Sequence, residues 1–170
     1  MIMEKERVFK LIEEVLSRDS RLIFAYAYGS FVSEEAFRDI DIGIYVKNPE
    51  ENPFVISSDI KTQLSLLAKN EGITFTADDF DIRIINDAPF TPLESPGIYA
   101  VDYINRKHQL PIEGGVKAPS FLTGFTFLKR VFKEGILLVD KDSDLRTDII
   151  ENVSLKYREC TGLLAEASLG

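Results

Sequence analysis

The chain opens on a segment in which apolar residues recur three and four positions apart. Between Met3 and Arg18, Val8, Leu11, Ile12, Val15 and Leu16 share one helical face while Glu and Lys fill the other, the pattern of an amphipathic helix laid on a core. Asp19 and Ser20 interrupt it. Residues 21–28 (RLIFAYAY) form a short apolar run rich in aromatic and β-branched residues, which predicts a strand buried on both faces. Gly29 ends that strand, and a short helix is expected over Ser30 to Phe37. From Asp39 to Lys47 (DIDIGIYVK) the pattern changes to alternation, with Ile40, Ile42, Ile44 and Val46 on one side and Asp39, Asp41, Gly43 and Tyr45 on the other.

Residues 48–55 read as a turn-rich acidic loop, and Ser57 to Asn70 as a helix with Ile60, Leu64, Leu67 and Ala68 facing inward and Gly72 near its C-cap. Residues 73–76 and 80–85 read as strands. In the second, Phe80, Ile82 and Ile84 alternate with Asp81, Arg83 and Ile85. Five of the seven prolines then fall between residues 86 and 120, with Gly97, Gly114 and Gly115. A Pro/Gly-rich insertion at about residues 91–120 is therefore expected inside a single domain spanning residues 1–170. Leu122 to Lys133 predicts a helix, ILLVD after Gly135 a strand, and Asp144 to Ala167 a last helix with Ser143 as N-cap. Strands alternating with helices argue for an α/β (α+β) domain, a mixed β-sheet flanked by helices.

Charge narrows the partners. Acidic residues number 28 against 20 basic ones, a formal net charge of -8, which speaks against free nucleic acid because backbone phosphates need a basic footprint. A nucleotide carried as its metal complex is compatible, since the cation neutralises much of the triphosphate and acidic residues hold the cation. The single cysteine, Cys160, excludes an internal disulfide and a cysteine-based zinc site. The N-terminal residues lack the order of a signal peptide, and no apolar run reaches the roughly 20 residues of a membrane helix. A cytoplasmic setting with no membrane contact is the expectation.

Residues 28–46 (YGSFVSEEAFRDIDIGIYV) concentrate the chemistry. Gly29 lets the backbone turn and approach a ligand closely. Ser30 follows at the start of a short helix, where unpaired N–H groups and the hydroxyl form a phosphate-binding corner. Asp39 and Asp41 point to one face of a strand, about 7 Å apart along the chain, with tips able to converge on a cation. Mg2+ prefers oxygen ligands and takes few protein carboxylates. A third carboxylate on a neighbouring strand admits a second ion; Asp81 has that context, with Asp79 on the same face and Asp78 beside it as rivals. Taken singly, Gly-Ser is often a plain turn, DID often a solvated strand edge, and Asp81 a surface partner of Arg83. Their joint order favours the site. His108, with Arg106 and Lys107, reads as a solvated basic turn, and Cys160 as a packed thiol.

The order GS-x8-DxD followed by a later strand aspartate resembles the DNA polymerase β-like nucleotidyltransferase superfamily, and more closely its minimal nucleotidyltransferases, often antitoxin partners of HEPN-domain toxins. FDIRIINDAP and FLKRVFKEGILLVDKDSDLRTDII extend the resemblance to about two thirds of the chain. It implies the nucleotidyltransferase fold, with Gly29 and Ser30 holding phosphates and Arg38 assisting. Asp39 and Asp41 would ligate two Mg2+ ions (Mn2+ an alternative), with Asp81 completing the catalytic metal site. The implied reaction is transfer of NMP, AMP from ATP favoured, to a hydroxyl on a HEPN-type partner; a homodimer is also compatible. The eight-residue spacer between Ser30 and Asp39 is shorter than in many minimal members and carries Glu34 and Glu35. A catalytically degenerate protein-binding module and a small-molecule (antibiotic) nucleotidyltransferase stay open as alternatives.

Overall fold

A computed structural model of the chain describes residues 2–35, 39–48, 52–86 and 120–169. The elements run α1 (Ile2–Arg18), β1 (Leu22–Tyr28), α2 (Ser30–Ser33), β2 (Ile40–Val46), α3 (Pro53–Asn70), a 3-10 turn (Ala77–Asp79), β3 (Phe80–Ile84), α4 (Ser120–Glu134), β4 (Ile136–Asp140) and α5 (Ser143–Leu169). Four strands form one sheet in the order β3-β2-β1-β4. β1 is antiparallel to both β2 and β4, whereas β2 and β3 run parallel. This is the mixed sheet with helices that the alternating pattern predicts.

The two faces of the sheet have opposite chemistry. One carries Ala25, Ala27, Ile40, Ile42, Ile44, Phe80 and Ile82, buried in one cluster with Val8, Leu11, Ile12, Val15 and Leu16 of α1 and Ile56, Ile60, Leu64 and Ala68 of α3. Each large aliphatic side chain taken from water there contributes about 1.5–3 kcal/mol before entropy is counted. The other face begins with aromatics: Phe24 stacks on Tyr45 with ring centroids 4.9 Å apart, and Tyr26 meets Phe132 edge-on at 5.4 Å. It ends with Asp41 and Asp81, so the apolar core aligns the strands and leaves the acidic end outside the core.

Several boundaries differ from the sequence reading. Residues 73–76 form no strand. Gly72 takes φ 71, Ile73 buries itself in the core, and β3 begins only at Phe80. Helix α3 starts at Pro53 rather than at Ser57, because Asn52 caps it by accepting from Phe54 N at 2.9 Å and Pro53 has no N–H to leave unpaired. Asp142, not Ser143, caps α5, its carboxylate accepting from Leu145 N at 3.0 Å. Helix α2 closes at Ser33, where Glu34 turns extended. The Pro/Gly-rich stretch expected at 91–120 lies outside the described residues up to 119.

Two compact units are present, Met1–Asn86 with Val131–Arg146, and Asp87–Arg130 with Thr147–Gly170. The first holds the sheet. In the second, Lys129 Nζ sits 4.2 Å from the Tyr157 ring centroid, and Phe125, Leu128 and Val153 are buried. No helix among the described residues is long and apolar enough to cross a membrane.

Between α1 and β1 the chain turns on a buried carboxylate. Asp19 accepts from Arg21 N at 3.0 Å, Nε at 2.9 Å and Nη2 at 2.7 Å, and Arg21 Nη1 also reaches Asp59 at 3.0 Å. The hydrogen bond from Arg21 holds the Asp19 carboxyl below the usual carboxylate range. A carboxylate depressed in the folded state stabilises fully above its unfolded pKa, and that contribution is lost as pH falls through the folded value. The urea midpoint should therefore fall progressively below about pH 5. Asp19→Asn should lose about 1–3 kcal/mol at neutral pH and show a flatter acid limb; an unchanged acid limb would refute this role.

Candidate active site

Strand β1 delivers its last residue, Tyr28, opposite Asp41 of β2, and the backbone then turns at Gly29 with φ 76 and ψ -156. Side-chain-bearing residues rarely adopt that conformation. A Cβ at this position would also collide with Oδ2 of Asp41. Gly29 thus clears space for the carboxylate as well as turning the chain. Ser30 then opens α2, a single turn closed by Val32 N and Ser33 N, which donate to Gly29 O at 3.1 and 3.2 Å. One short turn of helix has little stability of its own. It is anchored by Phe31, fully buried with its ring 4.6 Å from that of Phe9, and by Lys5 Nζ, which donates to Glu34 O at 3.0 Å.

The parallel pairing of β2 and β3 sets Ile40 beside Phe80, Asp41 beside Asp81, Ile42 beside Ile82 and Gly43 beside Arg83. Asp41 is half-buried; Asp39 and Asp81 are exposed. Burial pushes the Asp41 carboxyl up, and the like charges of Asp81 and Asp39 push it the same way, with Arg83 opposing. Burial also raises the Tyr28 hydroxyl, reinforced by Asp41 and Asp81 and opposed by Arg83.

Of the rival aspartates, Asp79 is hydrogen-bonded within its own turn. Asp79 accepts from Thr76 N at 2.8 Å and from Thr76 Oγ1 at 3.3 Å, closing a capping box around the 3-10 turn. Asp78 is exposed in that turn. Asp39 lies one residue before the first residue of β2, and its charge acts on Asp41. Arg38, His108, Arg106 and Lys107 lie outside the described residues.

The donor set consists of hard carboxylate oxygens that repel one another, which is the chemistry a divalent cation of the Mg2+ class relieves. Asp41 and Asp81 stand together, yet no group of three acidic, His or Cys side chains is arranged to hold a metal ion among the described residues. A Mg2+ ion takes only one or two protein carboxylates and fills its remaining positions with water and phosphate oxygens, so the pair suits it.

Two neighbours carry no role in the sequence reading. Gly43 is buried on the acidic face, and a Cβ there would stand 3.1 Å from Ile85 Cγ2 and 3.5 Å from Tyr28 Cε1. The tyrosine ring therefore lies across β2 over Gly43. The alternation places Tyr28, Gly43 and Arg83 on that face, but only the three-strand register brings them side by side.

Gly29→Ala should cost about 1–3 kcal/mol in urea unfolding. Gly72→Ala is the control, because Gly72 also has positive φ (71) while a Cβ there meets nothing within 4 Å. A larger loss for Gly29→Ala isolates the clash with Asp41; equal losses would show that the carboxylate yields freely.

The polymerase beta nucleotidyltransferase family model matches residues 10–95, half of the chain. Similar solved structures include an MNT antitoxin in complex with the tri-AMPylated HEPN toxin of Shewanella oneidensis, at 12% identity and TM-score 0.46 over 99% of this chain and 98% of that one. A toxin–antitoxin with AMP-PNP follows at 13% identity and TM-score 0.46, covering 98% of each chain. The toxin–antitoxin MntA–HepT stands at 14% identity and TM-score 0.41, over 99% of this chain and 94% of that one. No curated protein matches the chain. Over the stretch holding Gly29, Ser30, Asp39, Asp41 and Asp81, this chain belongs to the polymerase beta nucleotidyltransferase family.

Proposed function

We propose that the chain transfers an NMP group, AMP from ATP favoured, to a hydroxyl acceptor on a partner protein of the HEPN type, in a reducing cytoplasmic setting. The observation that carries this reading is the pairing of Asp41 with Asp81 across parallel strands, beside the turn at Gly29 and Ser30. Membership of a nucleotidyltransferase family supports it. Asp39, Asp41 and Asp81 would hold the divalent cations, two Mg2+ ions with Mn2+ as substitute, and Gly29, Ser30 and Arg38 would engage the phosphates. Bound cations neutralise the triphosphate and make the acceptor hydroxyl more acidic.

The chain's own residues supply position. The backbone at Gly29 approaches the triphosphate without a side chain in the way, and the Ser30 hydroxyl donates to a phosphate oxygen. Asp81, exposed at the start of β3, faces the entering acceptor and takes its proton. The acceptor oxygen bonds to the α-phosphorus as the bond from that phosphorus to pyrophosphate breaks. An antitoxin role follows if the modified hydroxyl is one that the partner needs. A second reading, a degenerate partner-binding module, is favoured by the lack of a ready three-ligand group among the described residues. A small-molecule acceptor is the third.

Pyrophosphate release from labelled ATP, GTP, CTP and UTP with Mg2+ separates these readings, measured with and without the co-purified partner and with small-molecule acceptors. Asp39→Asn and Asp41→Asn should each reduce turnover by about 100-fold or more, the loss of several kcal/mol of transition-state stabilisation. No turnover with any acceptor, and partner binding indifferent to both substitutions, would leave the degenerate module standing.

A further inference from the structure

The acidic face carries a cation of its own. Arg83 lies two residues past Asp81 on the same side of β3, in register with Gly43, and its charge acts on both Asp41 and Tyr28. Guanidinium and carboxylate pair strongly and often in bidentate fashion. An Asp41 side chain turned toward Arg83 would be neutralised and lost to a divalent cation.

Tyr28 stands where that turn would occur. It is the direct cross-strand neighbour of Asp41 on β1, which places the two Cβ atoms about 4.5–5.5 Å apart. Its ring runs over Gly43, two residues past Asp41 and in the same row as Arg83, where a Cβ would stand 3.5 Å from the ring. On the far side, Oδ2 of Asp41 rests against the backbone of Gly29. The carboxylate thus lies against the Gly29–Ser30 turn.

We infer that Tyr28 is a positioning residue: its ring, laid over Gly43, closes the route between Asp41 and Arg83 and keeps the Asp41 carboxylate beside Asp81, facing the Gly29–Ser30 turn. This rests on the reading of Asp41 and Asp81 as a cation site. The ring is the part that fills this space, so Tyr28→Phe is the conservative control. A purely structural tyrosine would give the same loss whether or not Arg83 were present, so Arg83 is the discriminating partner.

The test is Mn2+ binding to the full chain without nucleotide, followed by the electron paramagnetic resonance signal of the free ion, with circular dichroism to verify folding. Tyr28→Phe should bind within about twofold of the native chain, Tyr28→Leu about tenfold more weakly, and Tyr28→Leu with Arg83→Met should return to within about threefold. If Tyr28→Leu does not fold, Tyr28→Val, which also removes the ring and suits a strand, should show the same weakening and the same rescue by Arg83→Met. Native binding that Tyr28→Leu leaves unchanged, or a loss that Arg83→Met does not rescue, overturns the inference alone. A loss in Tyr28→Phe equal to that in Tyr28→Leu overturns it too, by assigning the effect to the hydroxyl. A native chain whose Mn2+ binding is absent, or indifferent to Asp41→Asn, overturns the cation site and the inference together.

Discussion

Two carboxylates directly opposite each other in a sheet repel, and the register that puts Asp41 beside Asp81 is the constraint on which the rest of the site depends. The opposite face enforces it. Ile40, Ile42 and Ile44 lie beside Phe80, Ile82 and Ile84 in the same ladder and are buried under α1 and α3. A slip by one residue would expose that apolar set and bury the acids. Asn86 secures the far end: its side chain accepts from Val46 N at 2.9 Å and donates to Val46 O at 2.8 Å, as a further backbone residue of β3 would. Hydrophobic burial on one face thus holds unfavourable charge in place on the other.

Around that pair the structure removes side chains where they would interfere. Gly29 leaves room for Oδ2 of Asp41, and Gly43 leaves room for Ile85, whose Cγ2 a Cβ would meet at 3.1 Å. Both needs follow from neighbours across the sheet. The short helix after Gly29 is fixed by the burial of Phe31 and by Lys5 at its end, so the turn proposed to meet phosphate is tied to the same core as the acids. Repulsion among Asp41, Asp81 and Asp39 is what a divalent cation would relieve, and this gives the proposed metal site a physical basis independent of family membership.

Much of this was legible in the sequence. DIDIGIYV announces its two faces by alternation alone, and FDIRI does so again, which is why the strands and their inward residues follow from period two. The sequence favours Asp81 and keeps Asp79 as its rival, because their order depends on where the chain leaves the 3-10 turn; the hydrogen bonds from Thr76 hold the Asp79 carboxylate in that turn. Asn52-Pro53 was a readable helix start obscured by the acidic residues before it. The false strand at 73–76 shows the reverse, a β-like composition with no place in the sheet. The relation of Tyr28 to Gly43 and Arg83 was hidden because it joins three strands distant in sequence. Arg38 and the Pro/Gly-rich stretch lie outside the described residues, and the units Met1–Asn86 with Val131–Arg146 and Asp87–Arg130 with Thr147–Gly170 stand each by itself.

Anomalous diffraction from crystals grown with Mn2+ and a non-hydrolysable ATP analogue tests whether the pair across β2 and β3 holds a divalent cation beside the Gly29–Ser30 turn. At least one manganese peak is expected within about 2.0–2.6 Å of carboxylate oxygens from both Asp41 and Asp81, with the triphosphate at Gly29 and Ser30. Manganese absent from that pair, with nucleotide seated elsewhere or not at all, would contradict it.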